Sequence, residues 1–150
     1  PIKSSAASDV YKRQVVLPCG INEIYPKSNQ WIAEEVLKQG GCLISEYPEG
    51  TRPEKYRFVQ RDRLQSGMSQ GVLVVEAMEK SGTMHTAEYA KKQNRRLACY
   101  YHGLLKYSTG NNVLENLYQA AVIKTNEDLE NYLCEIADIE EYTQLSFDFV

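Results

Sequence analysis

The segment from Arg52 to Arg63 concentrates basic side chains in a chain whose net charge is −3. Guanidinium groups bind phosphate through paired hydrogen bonds, and aromatic rings stack on unpaired bases. The segment combines both residue types, which is typical of a surface that binds single-stranded nucleic acid. A solvated loop whose arginines pair with Asp62 or Glu76 explains the composition equally well. The residues concerned are Arg52, Lys55, Tyr56, Arg57, Phe58, Arg61 and Arg63.

A second polar segment, Ser81-Gly82-Thr83, follows an apolar run and opens a helical pattern. Such a turn offers free backbone N–H groups, hydroxyls and the positive end of a helix dipole, a combination suited to phosphate. An N-cap in which Gly82 fits a tight turn accounts for the same residues, and residue types alone favour it. Glu76, just before the turn, is expected to accept hydrogen bonds from the turn's N–H groups rather than act as a base.

Strand and helix patterns alternate along the chain, which predicts a parallel α/β sheet flanked by helices. Ligands of such sheets bind outside the carboxyl ends of the strands, and Glu76 to Thr86 falls at such a place. Residues 48 to 57 are expected to form an exposed loop, with a short helix from about Gln60 to Ser69. The predicted strands are "QVVLPCG", "CLISE", "GVLVVEA", "LACYY" and "AVIK".

Packing and capping positions follow from the helical patterns. The helix that begins at the Ser-Gly-Thr turn is expected to pack through Met84, Ala87 and Ala90. Asn111 or Asn112 is predicted to cap the next helix. Thr125 or Asn126 is predicted to cap the last one.

Composition excludes several classes of protein. With 150 residues, 43% of them hydrophobic, the chain is long enough for a core. A pI near 5.5 requires any nucleic-acid site to be a local patch. Four widely spaced cysteines and two histidines suggest no zinc site, no other metal or cofactor, and no disulfide scaffold. No apolar run approaches a membrane span, and a cytoplasmic location is expected.

Both ends of the chain differ from the segment between them. Residues 1–14 are expected to be non-native or disordered, because "DVYKRQ" resembles the translation of a transposon end used in sequencing libraries. The natural sequence is then expected to begin near Val15. Residues 15–136 are predicted to form the domain, and residues 137–150 an acidic flexible tail. The tail's "QLSFDF" slightly resembles peptides that bind the sliding clamp; phenylalanines that pack on the domain are the preferred interpretation.

Five motifs in order, from about Val16 to Leu133, resemble the C-terminal half of the Rossmann-like domain of DNA-processing protein A (DprA, also called Smf). "GINEIYPKSN" resembles the family's G-x-x-x-x-YP-x-x-N, and "LISEYPEG" its LISE-x-P-x-G. "FVQRDRLQSGMS" is similar to F-P-x-R-N-R-I-I-x-x-L-S. "VLVVEAMEKSGTMHTAEYA" is similar to VVVEA-x-x-x-SGS-x-x-TA-x-x-A, and "GNNVL" to G-x-N-x-L.

The resemblance implies a function. Members of the family bind and protect single-stranded DNA and help to load the RecA recombinase during transformation and recombination. For this chain it implies single-stranded DNA and RecA as partners, and a homodimer as a plausible assembly. It also implies phosphate contacts from Arg61 and Arg63, in a pocket lined by Ser81, Gly82, Thr83 and Thr86.

The sequence departs from the family pattern at several places. Val59 replaces a proline, and Asp62 replaces an asparagine, which adds a negative charge between the two arginines. "YYHG" at residues 100–103 replaces V-P-G; aromatic filling of a strand end is expected there rather than stacking on DNA. The family's upstream G-S-R and S-G-x-A-x-G-I-D motifs do not occur, so an N-terminally truncated domain is predicted.

The alternative function is that of a nucleotide-binding or phosphoribohydrolase-like protein of the related superfamily. The phosphoribohydrolase motif P-G-G-x-G-T-x-x-E places a carboxylate three residues after the threonine. Here that position is Thr86, so the chain is predicted not to be an enzyme, and no catalytic residue is assigned. His85 is expected to be a surface or packing residue. A nucleotide sensor that uses the same turn is a third hypothesis, which the long basic segment disfavours.

Overall fold

The computed structural model describes residues 13–101, 103 and 107–143. The chain divides into two structural units, residues 1–61 and residues 62–150. Both units consist of parallel strands and helices. The predicted parallel α/β fold class is therefore confirmed. The predicted N-terminal extension, residues 1–14, lies outside the described residues except for Arg13 and Gln14, and the predicted clamp-binding peptide lies wholly outside them.

The first unit is built around a pair of short strands. Val15 of the first strand lies opposite Leu43 of the second. The helix between them buries Ala33 and Val36 and ends at Lys38, and Gly40, whose φ is 77°, follows in the turn. The elements are β1 (Gln14–Val16), α1 (Gln30–Lys38) and β2 (Cys42–Ile44).

Helix α2 (Lys55–Gly67) contains most of the predicted basic segment. It begins five residues before the predicted start at Gln60, so the prediction of a loop through residue 57 is wrong at its end. Pro53 and Glu54 explain the difference, because a proline and a carboxylate both suit the start of a helix. Glu54 also pairs with Arg57 at 3.3 Å.

The second unit contains a three-stranded parallel sheet in the order β3, β4, β5. Strand β4 is hydrogen-bonded on both sides. The strands are β3 (Gly71–Val74), β4 (Arg96–Tyr100) and β5 (Ala121–Ile123), and the helices are α3 (Gly82–Lys92), α4 (Thr109–Asn116) and α5 (Asn126–Thr143).

Alternate residues of this sheet supply two separate apolar clusters. Val74 and Cys99 pack with Met84, Ala87 and Leu114 from α3 and α4. Leu73 and Ala98 belong to the other cluster, which α5 covers through residues such as Tyr132. Successive side chains of a strand point to opposite faces, so the sheet is covered by helices on both sides. The predicted packing of Met84, Ala87 and Ala90 is confirmed, since all three are buried.

The helix ends agree with the sequence in part. Thr125 caps α5, as predicted: its hydroxyl accepts from the Asp128 N–H at 3.2 Å, and the Asp128 carboxylate accepts from the Thr125 N–H at 2.8 Å. The residue that precedes α4 is Ser108, so the prediction of an Asn111 or Asn112 cap is wrong.

Helix α5 continues to Thr143 and so includes the first seven residues of the predicted tail. The predicted boundary at residue 136 does not coincide with the end of this helix. Among the described residues, no helix combines the length and the apolar character that spanning a membrane requires.

Candidate nucleic-acid interface

The Ser-Gly-Thr turn lies at the start of α3, after the carboxyl end of β3. Ser81 precedes the helix in an extended conformation, φ −99° and ψ 158°, and its side chain makes no capping hydrogen bond. The Ser81 Oγ is nevertheless buried, and within the described part of the chain it has no hydrogen-bond partner. The Ser81 side chain therefore does not bond the backbone N–H groups of Gly82 and Thr83, which leaves these two groups available to an anion, whereas the Met84 N–H donates to the Ser81 carbonyl at 3.1 Å.

Gly82 is the first residue of α3 and does not have a positive φ. No atom outside its immediate chain neighbours and its own helix lies within 4 Å of the place where a side chain would begin. The backbone conformation therefore does not require glycine here. The open space lets another molecule approach the main chain closely.

A groove of about 470 Å³ borders the turn on the side of α4. Its lining is of mixed charge, with Lys80 and His85 against Glu79 and Glu88. A hydrogen bond from Lys92 lowers the pKa of the Glu88 carboxyl, so this side chain is ionised at neutral pH. The groove is therefore less suited to a polyanion than the turn itself.

Asn111 fixes the loops around the turn. Its amide nitrogen donates to the carbonyls of Val75 at 3.0 Å and Tyr100 at 2.9 Å, and its oxygen accepts from the Ala77 N–H at 2.9 Å. These contacts join the carboxyl ends of β3 and β4 to the start of α4. Asn111 is fully buried, so its role is structural.

Glu76 accepts a hydrogen bond from the Tyr107 N–H at 2.8 Å. The prediction that its carboxylate binds the N–H groups of the adjacent Ser-Gly-Thr turn is not what the structure shows, because the bond goes to the loop before α4. The negative charge of Glu76 is thus tied to the other loop.

In the first unit, two loops at the carboxyl ends of β1 and β2 are joined by hydrogen bonds. The Ser45 hydroxyl donates to the Cys19 carbonyl at 2.6 Å, and the Asn22 side chain accepts from the Gly50 N–H at 2.8 Å. Gly20 donates its N–H to the Thr51 carbonyl at 2.9 Å. A side chain at position 20 would begin 2.5 Å from the Pro48 carbonyl oxygen, so only glycine allows this approach.

Arg57 is engaged by its own neighbourhood. Its side chain is 15% exposed and pairs with Glu54. The guanidinium lies 5.2 Å from the ring centroids of both Tyr47 and Tyr56. It also donates to the Tyr56 hydroxyl at 3.0 Å and to the Arg52 carbonyl. Such contacts leave little of this cation for a ligand.

Arg61 and Phe58 lie one turn apart on α2. The Arg61 guanidinium donates to the Val16 carbonyl at 3.0 Å, at the carboxyl end of β1, and lies 5.8 Å from the Phe58 ring centroid. Phe58 meets Tyr25 edge to face, with centroids 5.9 Å apart. Burial raises the pKa of the nearby Cys19 thiol, which donates to the Glu23 carbonyl at 3.0 Å.

The most accessible members of this cluster are Arg52, Lys55 and two tyrosines. Tyr25 is 57% exposed and Tyr56 is 51% exposed. Arg52 and Lys55 are also exposed. We refer to Tyr25, Arg52, Lys55 and Tyr56 as the aromatic-basic surface of the first unit.

Arg63 belongs to the second unit, where its side chain is exposed. Its carbonyl accepts from the Gln93 amide at 2.9 Å, and Gln93 follows the last residue of α3. An eleven-residue helix is about 16 Å long, so the main chain of Arg63 lies beside the opposite end of α3 from Ser81. The second unit thus brings Ser81, Gly82, Thr83 and Thr86 together, while Arg63 stands apart from them.

Asp62 is buried, with 7% of its surface exposed. It therefore does not present its charge at the surface between Arg61 and Arg63.

Two further residues of the cluster, Tyr25 and Tyr47, were not selected from the sequence. Each lies in a segment that carries a family motif, "GINEIYPKSN" or "LISEYPEG", and those motifs are the signal that could have identified them.

Parallel strands with helix starts and polar loops at their carboxyl ends define a Rossmann-like α/β protein. The sequence profile of DNA recombination-mediator protein A matches residues 2–133. The chain belongs to this family.

Protein Smf of Escherichia coli K12 is 45% identical over 82 residues, which are 55% of this chain and 22% of that protein. DNA processing protein DprA of Bacillus subtilis is 42% identical over 82 residues, 55% of this chain and 27% of that protein. The chain thus spans about a quarter of the length of these relatives.

A solved structure of DNA processing protein A from Helicobacter pylori superposes with a TM-score of 0.70 and 31% identity. The match covers 81% of this chain and 56% of that one. That structure was described for its single-stranded DNA binding mode.

Among the described residues of the present chain, no group of three His, Cys, Asp or Glu side chains could hold a metal ion.

Proposed function

We propose that this chain binds single-stranded DNA, protects it, and assists RecA-mediated recombination and natural transformation. The observation that carries the proposal is the aromatic-basic surface of the first unit, where exposed cations and exposed tyrosine rings occur together. Cations hold the phosphate backbone and rings stack on bases, which together give binding without sequence preference. Membership of the family supports the same function.

In this proposal some of the site residues contact the DNA, and others hold the contacting residues in place. Arg52 and Lys55 neutralise phosphates, because both are exposed. The backbone N–H groups of Gly82 and Thr83 hold a further phosphate at the start of α3, with Ser81 and Thr86 beside them. Arg57, Phe58 and Arg61 are only partly exposed and hold the aromatic-basic surface in place. Arg63 supplies an exposed cation on the second unit.

The enzyme alternative is less well supported. Thr86 occupies the position of the phosphoribohydrolase carboxylate, and a threonine cannot act as its general base. The Glu76 carboxylate accepts a hydrogen bond from the Tyr107 N–H, in the loop before α4. A DNA-binding function without catalysis fits these residues better.

By analogy with the family, we further propose that the chain contacts RecA and forms a homodimer. The same analogy places it in the cytoplasm. RecA loading would place the recombinase on strands that the chain already holds. A sliding-clamp contact through the terminal "QLSFDF" would be tested by retention of purified clamp on the peptide, and failure to retain it would end that idea.

The test is a fluorescence-anisotropy titration of labelled oligo-thymidine at several salt concentrations. The wild-type chain is expected to bind in a salt-dependent manner. The Arg52→Ala/Lys55→Ala variant is expected to bind more weakly. Loss of two phosphate contacts should flatten the plot of log K against log salt by about 1.4.

The control is Lys38→Ala/Lys92→Ala, which removes the same charge from exposed lysines on α1 and α3. This variant should keep the wild-type slope. Equal loss in both variants would show a response to net charge alone. No binding by a folded wild-type chain would contradict the proposed function.

A further inference from the structure

We propose that a groove beside Tyr25 in the first unit binds one unpaired base of a single-stranded DNA. The inference rests on the proposed function and adds a base subsite to it. Tyr25 and Lys27 were not among the DNA-binding residues selected from the sequence. The residues that form this subsite come from the loop between β1 and α1, from the loop after β2 and from α2.

The groove has a volume of about 430 Å³, which lies in the range of small-ligand sites. It lies between the loops that follow β1 and β2. The hydrogen bonds of Gly20, Asn22 and Ser45 join these two loops, so the walls are fixed relative to each other. The lining residues are Glu23, Ile24, Tyr25, Lys27, Arg52 and Pro53.

Tyr25 offers the stacking surface. Its ring is more than half exposed, although Phe58 contacts it edge to face, with an interplanar angle of 73°. Phe58 itself is only partly exposed and has the Arg61 guanidinium over its ring. The available aromatic face is therefore that of Tyr25, and Phe58 restricts its rotation. A ring that is already held in place loses less entropy when a base stacks on it.

The charges of the groove separate base from phosphate. Lys27 and Arg52 lie on the lining and can neutralise the phosphates on either side of a stacked nucleotide. Glu23 lies on the same lining and repels a phosphate. A carboxylate can instead accept a hydrogen bond from a base, as from the amino group of cytosine. The combination favours a base in the groove with its phosphates at the rim.

This subsite requires an unpaired base. In a duplex the faces of each base are covered by its neighbours in the stack, so no face is available to Tyr25. The groove would therefore contribute discrimination between single-stranded and duplex DNA, which backbone contacts alone supply poorly.

The experiment compares Tyr25→Leu with Tyr25→Phe in the full chain, using oligo-thymidine and the same oligonucleotide with abasic positions. Tyr25→Leu is expected to weaken binding to oligo-thymidine by about tenfold. Its salt slope should equal that of the wild type, because no phosphate contact is lost. Tyr25→Phe should bind as the wild type does. Abasic positions in the oligonucleotide should lower the affinity of the wild-type chain but hardly change the affinity of the Tyr25→Leu variant.

A second measurement needs no variant: photocrosslinking of the wild-type chain to an oligonucleotide that contains 5-iodouracil, followed by peptide mapping. A crosslink to Tyr25 supports the subsite. Crosslinks confined to other segments, or a Tyr25→Leu variant that binds salt-dependently with wild-type affinity, would overturn the subsite and leave the proposed function standing. A wild-type chain that binds no oligonucleotide would overturn both.

Discussion

At the residue scale, the arginines of α2 have different roles although they follow one another closely in sequence. Arg57 contacts Glu54, the Arg52 carbonyl and two tyrosines, and only 15% of its side chain is exposed. Arg52 is exposed and lines the groove beside Tyr25. A cation that is already paired stabilises a surface, whereas an accessible one can exchange counterions for a phosphate.

This difference predicts how the two arginines affect DNA binding. Arg57→Ala should weaken binding to oligo-thymidine because Tyr56 and the loop at Arg52 lose their support, yet the salt slope should stay at the wild-type value. Arg52→Ala should flatten the slope by about 0.7, which is the value for one phosphate contact on a single strand. Anisotropy titrations over a salt series measure both. A flattened slope for Arg57→Ala would make Arg57 a phosphate ligand.

Gly82 allows the turn to be tested without harm to the fold. Gly82→Ala should leave the melting temperature unchanged or raise it, because alanine stabilises a helix relative to glycine by up to about 1 kcal/mol and no neighbouring atom obstructs the new methyl group. Affinity for oligo-thymidine should fall, because that methyl group occupies the approach to the backbone N–H groups. Thermal melting and anisotropy on the same sample check both expectations. Undiminished affinity would remove the start of α3 from the DNA interface.

At the element scale, the starts of α4 and α5 are fixed by polar side chains rather than by apolar packing. Asn111 joins α4 to the ends of two strands, and the Thr125 and Asp128 pair closes the first turn of α5. Both arrangements satisfy backbone groups that would otherwise lack partners. Their energetic weight should differ, since Asn111 is fully buried and the α5 cap is exposed to solvent.

Asn111→Ala is expected to lower the free energy of unfolding by about 3 kcal/mol, because a buried N–H group and two carbonyls lose their partner. Asn112→Ala is the matched control: Asn112 is the next residue and is exposed, and its side-chain oxygen accepts a hydrogen bond from the Asn116 amide on the same helix. That control should change stability by less than about 0.5 kcal/mol. Urea unfolding followed by circular dichroism distinguishes them. Similar losses in both variants would contradict the bridging role of Asn111.

The cap of α5 predicts a dependence of stability on pH. Hydrogen bonds from the backbone N–H groups of Lys124 and Thr125 hold the pKa of Asp128 below its ordinary value of 3.8. The carboxylate therefore stabilises the folded state above pH 3.8, and this contribution is lost as the pH falls through the lowered pKa. Asp128→Asn should reduce the melting temperature at neutral pH and weaken its acid dependence. Glu127→Gln, on the same turn, serves as the control and should retain the wild-type acid dependence.

Local signals account for what the sequence could predict among these elements. The start of α3 and the cap at Thr125 depend on residues within one turn of each other. The sequence alone therefore predicts both. The start of α2 was missed because two prolines and several basic residues suggested a loop, although Pro53 and Glu54 suit a helix start. The contact between Tyr25 and Phe58, and the bonds of Asn111 to two strands, join residues far apart in the chain, and no local pattern encodes them.

At the scale of the whole molecule, the two units differ in how their strands are supported. Strand β4 is hydrogen-bonded on both sides and packed on both faces, whereas β1 and β2 form a two-stranded sheet. Two-stranded sheets are marginal without further packing. Opening of the first unit should therefore cost less free energy than opening of the second.

Hydrogen exchange of the full chain tests this expectation. The amides of Ala98 and Cys99 in β4 should exchange most slowly, and those of Val16 and Leu43 in β1 and β2 much faster. Addition of oligo-thymidine should slow exchange in the loops after β1 and β2, because Tyr25 and Arg52 of the aromatic-basic surface lie there. Equal protection of β2 and β4 in the unbound chain would contradict the difference between the units.

Gly20 has a consequence for the interpretation of mutational scans. Its backbone joins the two loops that form the groove, and any side chain at this position would meet the Pro48 carbonyl oxygen. Almost every substitution at Gly20 would therefore score as a loss of DNA binding although glycine offers no group to the ligand. A binding map drawn from activity alone would place this position in the interface. A map that records protein abundance beside DNA binding would show instead that Gly20 stabilises the two loops beside Tyr25.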